Sequence, residues 1–125
     1  MKVIIAGSRR INDYARVCKA VIDSGFEVTE VVSGRAKGVD TLGEQYAEEH
    51  NLPAKLFPAD WGQYGRAAGP IRNGQMAEYA DALIAIWNGE SRGTENMVKQ
   101  AVKKQLKIFI DHIAEEKGQL NIFKD

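Results

Sequence analysis

Two unbroken apolar runs, Val3-Ile4-Ile5-Ala6 and Leu83-Ile84-Ala85-Ile86-Trp87, set the strongest limit on what this chain can fold into. Successive side chains of a strand point to opposite faces of its sheet, so a strand with one wet face alternates apolar and polar residues. These runs do not alternate. Both of their faces must be covered, which is the mark of a parallel sheet lying between layers of helices. Three further strand-like runs follow the same plan: residues 28–32, Ala54 to Phe57 behind Pro53, and Lys107 to Asp111.

Between these runs the spacing of apolar residues becomes helical. Helices are expected over residues 11–24, stopped by Gly25, and over 38–50 with Val39, Leu42, Tyr46 and Ala47 on the inner face. A third is expected to open at Pro70 and run to about Ala80, offering Met76, Tyr79 and Ala80 for packing. The last spans Thr94 to Gln105. Strands alternating with helices predict an α/β chain: a Rossmann-like, doubly wound five-stranded parallel sheet in a single domain. The expected strand order is 3-2-1-4-5, which puts residues 4, 31 and 84 on interior strands. A flavodoxin-like 2-1-3-4-5 is the alternative. Residues 58–69 form the one long stretch with no regular pattern.

The chain has 125 residues, 44% of them hydrophobic and 27% charged. That length suits one domain, assigned to residues 1–112, followed by a tail over 113–125. The tail is polar until Leu120-Asn121-Ile122-Phe123, whose apolar residues can dock on the domain or on a second subunit; a homodimer or higher homo-oligomer is expected. Seventeen basic side chains offset seventeen acidic ones. This neutrality counts against nucleic acid as the main partner. The single cysteine, Cys18, excludes an internal disulfide and suits a reducing compartment. No run spans a bilayer and no signal peptide opens the chain, so the expectation is a cytoplasmic protein with no membrane partner. His50 and His112 have no Cys or second His at ligand spacing, so neither a metal nor another cofactor is expected.

The chemistry lies where the strand runs end. Gly7-Ser8-Arg9, Ser33-Gly34-Arg35-Ala36-Lys37-Gly38 and Asn88-Gly89-Glu90-Ser91-Arg92-Gly93-Thr94 each stand between a strand and a helix. Such turns let a backbone approach a ligand, aim N–H groups at it and add the positive end of a helix dipole. In a doubly wound sheet all of them lie on one rim, with Gly65 and Gly69 of the long connection. The pattern is neither Gly-x-Gly-x-x-Gly nor a P-loop, and no Gly-x-Ser-x-Gly elbow is present. The expected pocket takes a phosphorylated or otherwise anionic molecule. Its candidate ligand-binding residues are Gly7, Ser8, Arg9, Ser33, Gly34, Lys37, Gly38, Asp40, Trp61, Arg72, Asn73, Ser91, Gly93 and Thr94.

Arg72 stands out among them. In the first turn of a helix opened by Pro70 its charge opposes the helix dipole, and a bound phosphate would reverse the sign of that interaction. Trp61 and Tyr64 could stack on a nucleobase or simply pack the long connection onto the domain. Asp40, Asp60, Glu90 and Glu95 are the acids of the rim. Asp40 and Glu95 are also stabilising merely as acids in a first helical turn.

Ala6-Gly7-Ser8-Arg9, Ser33 to Asp40, Phe57-Pro58-Ala59-Asp60-Trp61, Ala68-Gly69-Pro70-Ile71-Arg72-Asn73 and Ser91-Arg92-Gly93-Thr94 occur in that order over about residues 3–102. Together they resemble the SLOG superfamily, and most closely its YspA-like branch. The resemblance implies a sheet of order 3-2-1-4-5 and a pocket for a nucleotide or nucleotide-derived ligand, often in a sensor or ligand-binding module. Within the superfamily, the cytokinin-activating phosphoribohydrolases split nucleoside monophosphates into base and ribose 5-phosphate. Their catalytic arginine matches Arg72, and their Gly-Gly-x-Gly-Thr-x-x-Glu motif ends in a catalytic glutamate. Here Met97 takes that place, and Glu95 lies roughly 200° around the helix from it. The leading expectation is therefore a binder. The alternative is an N-glycosidic hydrolase for which no catalytic residue is assigned, the candidates being Arg72, Glu95, Glu90 and Asp40. The turn from Ser33 to Asp40 also resembles the DNA-processing DprA proteins, which makes single-stranded DNA the third reading.

Overall fold

Strand β1 (Lys2–Gly7) runs through the middle of a five-stranded, all-parallel sheet with β2 (Glu30–Ser33), β3 (Ala54–Leu56), β4 (Ala82–Trp87) and β5 (Lys107–His112). The order is β3-β2-β1-β4-β5, as expected, and the 2-1-3-4-5 arrangement is excluded. The helices are α1 (Tyr14–Ser24), α2 (Val39–Glu49), α3 (Trp61–Tyr64), α4 (Ala68–Tyr79) and α5 (Arg92–Lys103), with a 3-10 turn at Gly65–Ala67. This computed structural model describes residues 1–113. Leu120, Ile122 and Phe123 of the expected tail surface lie outside the described residues.

The unbroken apolar runs are explained by their register. Ile4 pairs with Val32 on one side and Leu83 on the other, and Ile5 with Ile84. Val3, Ile5, Val31, Ile84 and Ile86 face α1 and α2, where Val17, Ala20, Val39 and Leu42 meet them. Ile4, Ala6, Val32, Leu83 and Ala85 face the other way, onto Met76 and Ala77 of α4 and Met97 and Ala101 of α5. Ile4, Ile5, Leu83 and Ile84 are fully buried. Burying each such side chain contributes about 1.5–3 kcal/mol, which fixes the interior strands before any edge is considered.

The edges are short or charged. All three residues of β3 are exposed. On β5, the Asp111 carboxylate accepts two hydrogen bonds from the Arg16 guanidinium of α1, at 2.8 and 3.0 Å. The Ile113 amide, just past β5, donates to the Trp87 carbonyl at 2.9 Å.

Several expected boundaries move. Helix α1 begins at Tyr14, behind Asp13, whose side chain accepts from the Arg16 amide; Gly25 ends it as expected. Of the stretch expected to be irregular, residues 58–60 are so, but 61–69 are helical. Asp60 caps α3, accepting from the Gln63 amide at 3.1 Å, and the 3-10 turn carries the chain directly into α4. Helix α4 therefore opens at Ala68, and Pro70 is its third residue rather than its first. Proline is tolerated there because the first four helical N–H groups have no partner within the helix. Arg72 becomes the fifth residue, beyond the first turn, and its expected opposition to the dipole largely disappears, since that effect fades within one turn. Helix α5 begins at Arg92, with Ser91 as its cap, not at Thr94. Among the described residues no helix is long and apolar enough to cross a membrane.

Candidate functional site

The chain leaves β1 toward β2 and β3 and later returns to place β4 on the other side, so the direction of winding reverses between β1 and β4. Ligands of doubly wound sheets bind beyond the carboxyl ends of the strands at such a point. A cleft of about 590 Å³ opens there, lined by the turns after β1, β2 and β4, the segment after β3 and the first turns of α4. Its size falls within the range of small-molecule sites, about 300–1,000 Å³.

Close backbone contact brings the turns together. Gly38 has φ +78°, and a Cβ on it would overlap the Ser8 carbonyl and the Arg9 backbone. That approach lets the Val39 amide donate to the Ser8 carbonyl at 3.3 Å and pins the start of α2 to the turn after β1. Gly34 makes the second close approach. A Cβ there would lie 2.6 Å from Nη1 of Arg72 and 2.9 Å from Oδ2 of Asp40, so only glycine leaves room for both.

Arg72 reaches across from α4. Its Nη1 donates to the Gly34 carbonyl, and its Nε donates to Oδ1 of Asn73 at 2.9 Å. Asn73 is buried and continues the chain, its Nδ2 donating to Oδ1 of Asn96 at 2.9 Å and to the Gly93 carbonyl at 3.4 Å. One guanidinium and one carboxamide thus tie the turn after β2 to α4 and α5. Burial pulls the Arg72 guanidinium below its usual range; Asp40 opposes that fall and Arg9 adds to it.

Asp40 is only 5% exposed, and its Oδ2 accepts from the Ala36 amide at 3.4 Å. Burial pushes its carboxyl up to about 6, against the backbone hydrogen bonds and the Arg72 charge that pull it down. It is the one acid among the described lining residues, whereas Arg9, Arg35, Lys37, Arg72 and Arg92 all border the cleft. A chain with no net charge overall has concentrated cations here.

Of the residues expected to bind ligand, Gly7, Arg9, Gly34, Lys37, Asp40, Trp61, Arg72, Asn73, Ser91, Gly93 and Thr94 line this cleft. Ser8, Ser33 and Gly38 do not. Ser8 is buried and its Oγ accepts from the Arg10 amide at 3.3 Å. Ser33 is fully buried; its hydroxyl donates to the Glu44 carboxylate at 2.6 Å and accepts from the Arg35 amide at 3.1 Å, bracing the turn from behind. Gly65 and Gly89 also stand outside the cleft, while Gly69 lines it.

The acids divide in the same way. Glu95 is exposed and faces Lys99 one turn along α5 at 3.7 Å, and neither it nor Glu90 borders the cleft. Asp60 is engaged as the cap of α3. Met97, by contrast, is buried and forms part of the cleft wall. Asp40 is the sole expected acid left facing the cavity. Sequence reasoning did not single out Arg35, Arg92 or Asn96 as ligand contacts. Asn96 was within reach of it, since its position three residues after Gly93 puts both on one side of α5. Among the described residues no group of three His, Cys, Asp or Glu side chains could hold a metal ion.

Comparison with known proteins gives three results. Residues 1–64 match the model of the YspA, cpYpsA-related SLOG family. The Gene 61 protein of Mycobacterium phage D29 is 32% identical over 118 residues, covering 86% of this chain and 94% of that protein. The fold is similar to that of DNA processing protein A (DprA) from Streptococcus pneumoniae, with a TM-score of 0.68 at 20% identity over 87% of this chain. The match takes in 49% of the DprA chain, so this protein spans about half the length of that neighbour.

Proposed function

We propose, for a chain that belongs to the YspA, cpYpsA-related SLOG family, that the cleft binds a nucleotide or a nucleotide-derived phosphorylated small molecule, as a ligand-binding or sensor module. The observation that carries this reading is the convergence of Arg9, Lys37, Arg72 and Arg92 on one cavity of an otherwise neutral chain. Planar guanidinium groups suit phosphate oxygens, which they grip through two parallel hydrogen bonds. A Cβ on Gly93 would meet open space, so no described residue fills that part of the wall.

The arrangement favours binding over glycosidic cleavage. Hydrolysis builds positive charge on the ribose and needs a base for water. Met97 supplies neither, and Glu95 is turned toward Lys99. Native mass spectrometry of freshly purified protein tests the proposal: the parent should carry, or take up from added AMP or ADP-ribose, a ligand that Arg72→Ala does not retain. A parent that takes up neither would overturn it.

The likeness to DNA processing protein A favours a second reading, in which the same cations meet the phosphates of a single DNA strand. A strand of about ten nucleotides would then bind with an affinity that falls steeply with salt. Fluorescence anisotropy at two salt concentrations separates this from small-molecule binding.

A further inference from the structure

Resting on the phosphate reading above, we propose that the ligand also carries a flat aromatic base and that Trp61 is the surface on which that base stacks. Trp61 is 57% exposed, yet it borders the cleft. It enters from the segment after β3, which also gives Pro58 and Ala59 to the wall, and neither of these carries a charge. That segment offers a ligand apolar surface.

The indole is placed rather than loose. Asp60 holds the single turn of α3 through its bond to the Gln63 amide, and the far edge of the ring lies 3.4 Å from where a Gly69 Cβ would stand. The ring therefore rests against the first turn of α4. Arg72 projects from the next turn of that helix, so one helix carries the support of the aromatic surface and the phosphate-seeking guanidinium. A nucleoside phosphate has the same two chemistries joined by a sugar. Stacking accepts any base, since every base has a π face, and Trp61 would thus set a preference for base-bearing ligands without choosing among bases.

The same short helix supplies a control. Tyr64 is 44% exposed and does not border the cleft. Isothermal titration with AMP and with ribose 5-phosphate, on the parent, Trp61→Ala, Trp61→Phe and Tyr64→Ala, reads the proposal directly. Trp61→Ala should weaken AMP about tenfold to a hundredfold and leave ribose 5-phosphate unchanged. Trp61→Phe should keep most of the AMP affinity, and Tyr64→Ala should match the parent. Equal losses for both ligands in Trp61→Ala, or a Tyr64→Ala loss as large as that of Trp61→Ala, would overturn stacking while leaving the phosphate site standing. A parent that binds neither ligand would overturn the phosphate site, and stacking with it.

Discussion

Arg72 and Asp40 pack against the same glycine: a Cβ on Gly34 would stand 2.6 Å from the Arg72 guanidinium and 2.9 Å from the Asp40 carboxylate. The base holds the carbonyl of that turn, and the acid holds the amide of Ala36 two residues on. The turn after β2 is therefore fastened from two sides by groups of opposite charge, both facing the cleft. Most of what the site should do under mutation or a change of pH follows from this arrangement.

Gly34→Ala should damage binding more than stability. The atoms it would meet are the ends of two side chains, which can move, so the expected loss is about 1 kcal/mol, the low end for overpacking. Moving Arg72 should nevertheless weaken phosphate binding at least tenfold. Gly7→Ala makes the opposite case, because its Cβ would overlap the Ile86 backbone carbonyl, which cannot move aside. It should cost about 3 kcal/mol. Urea unfolding of both variants, with titration of AMP, checks the contrast.

Asp40 should make stability fall as pH rises. Its carboxyl titrates near 6 in the folded chain, against an ordinary value of 3.8. Between those two values the folded state keeps a proton that the unfolded chain has lost, so raising pH favours unfolding, by about 3 kcal/mol once both are ionised. Relative to Asp40→Asn, the parent should gain about 1 kcal/mol on going from pH 7 to pH 5. Parallel pH dependences of unfolding for parent and variant would show that Asp40 is not so shifted.

Removing Arg72 is not free. Its bonds to the Gly34 carbonyl and to Asn73 are partly buried, and Arg72→Ala should destabilise the empty protein by about 1–2 kcal/mol. Arg72→Lys should keep the charge but lose the fork that grips phosphate, and so bind markedly more weakly than the parent. Thermal unfolding without ligand, followed by titration, separates the two effects.

The parent should release no free base from AMP at a useful rate. Met97→Glu, which puts a carboxylate where the resemblance to the phosphoribohydrolases expects one, should be destabilised by several kcal/mol. Met97 is 1% exposed and packs in the apolar cluster with Ile4 and Met76, where an unpaired charge is strongly disfavoured. Chromatography of base and ribose 5-phosphate over a panel of nucleotides is the assay. Steady turnover by the parent, lost in Asp40→Asn, would favour the enzyme.

What was legible in the sequence is what burial dictates. Val3 to Ala6 and Leu83 to Ile86 could only be interior strands, because no partly exposed position suits four apolar residues in succession. Burial and right-handed crossovers left two strand orders open; the SLOG resemblance implied 3-2-1-4-5, and the structure has that order. The segment around Trp61 was not legible. Helix α3 is a single turn with no periodicity to detect, and its cap at Asp60 is a contact over three residues rather than a pattern. Pro70 misled for a different reason, since the first and third helical positions tolerate proline equally well on hydrogen-bonding grounds. Ser33 and Ser91 look alike in sequence, each beside a glycine-rich turn. One faces Glu44 of α2 behind the turn, whereas the other caps α5 and lines the cleft, and only the packing of those two helices decides between them.

Ligand-dependent thermal unfolding of the parent and Arg72→Ala, with AMP and ADP-ribose, bears most directly on the binding cleft. At about one hundred times its dissociation constant, a ligand should stabilise the parent by about 2.7 kcal/mol and raise the midpoint by on the order of 10 °C. Arg72→Ala, already melting a few degrees lower, should show almost no further shift. A variant that rises as far as the parent, or a parent that does not rise with either ligand, would contradict the assignment of this cleft to phosphorylated nucleotide-derived molecules.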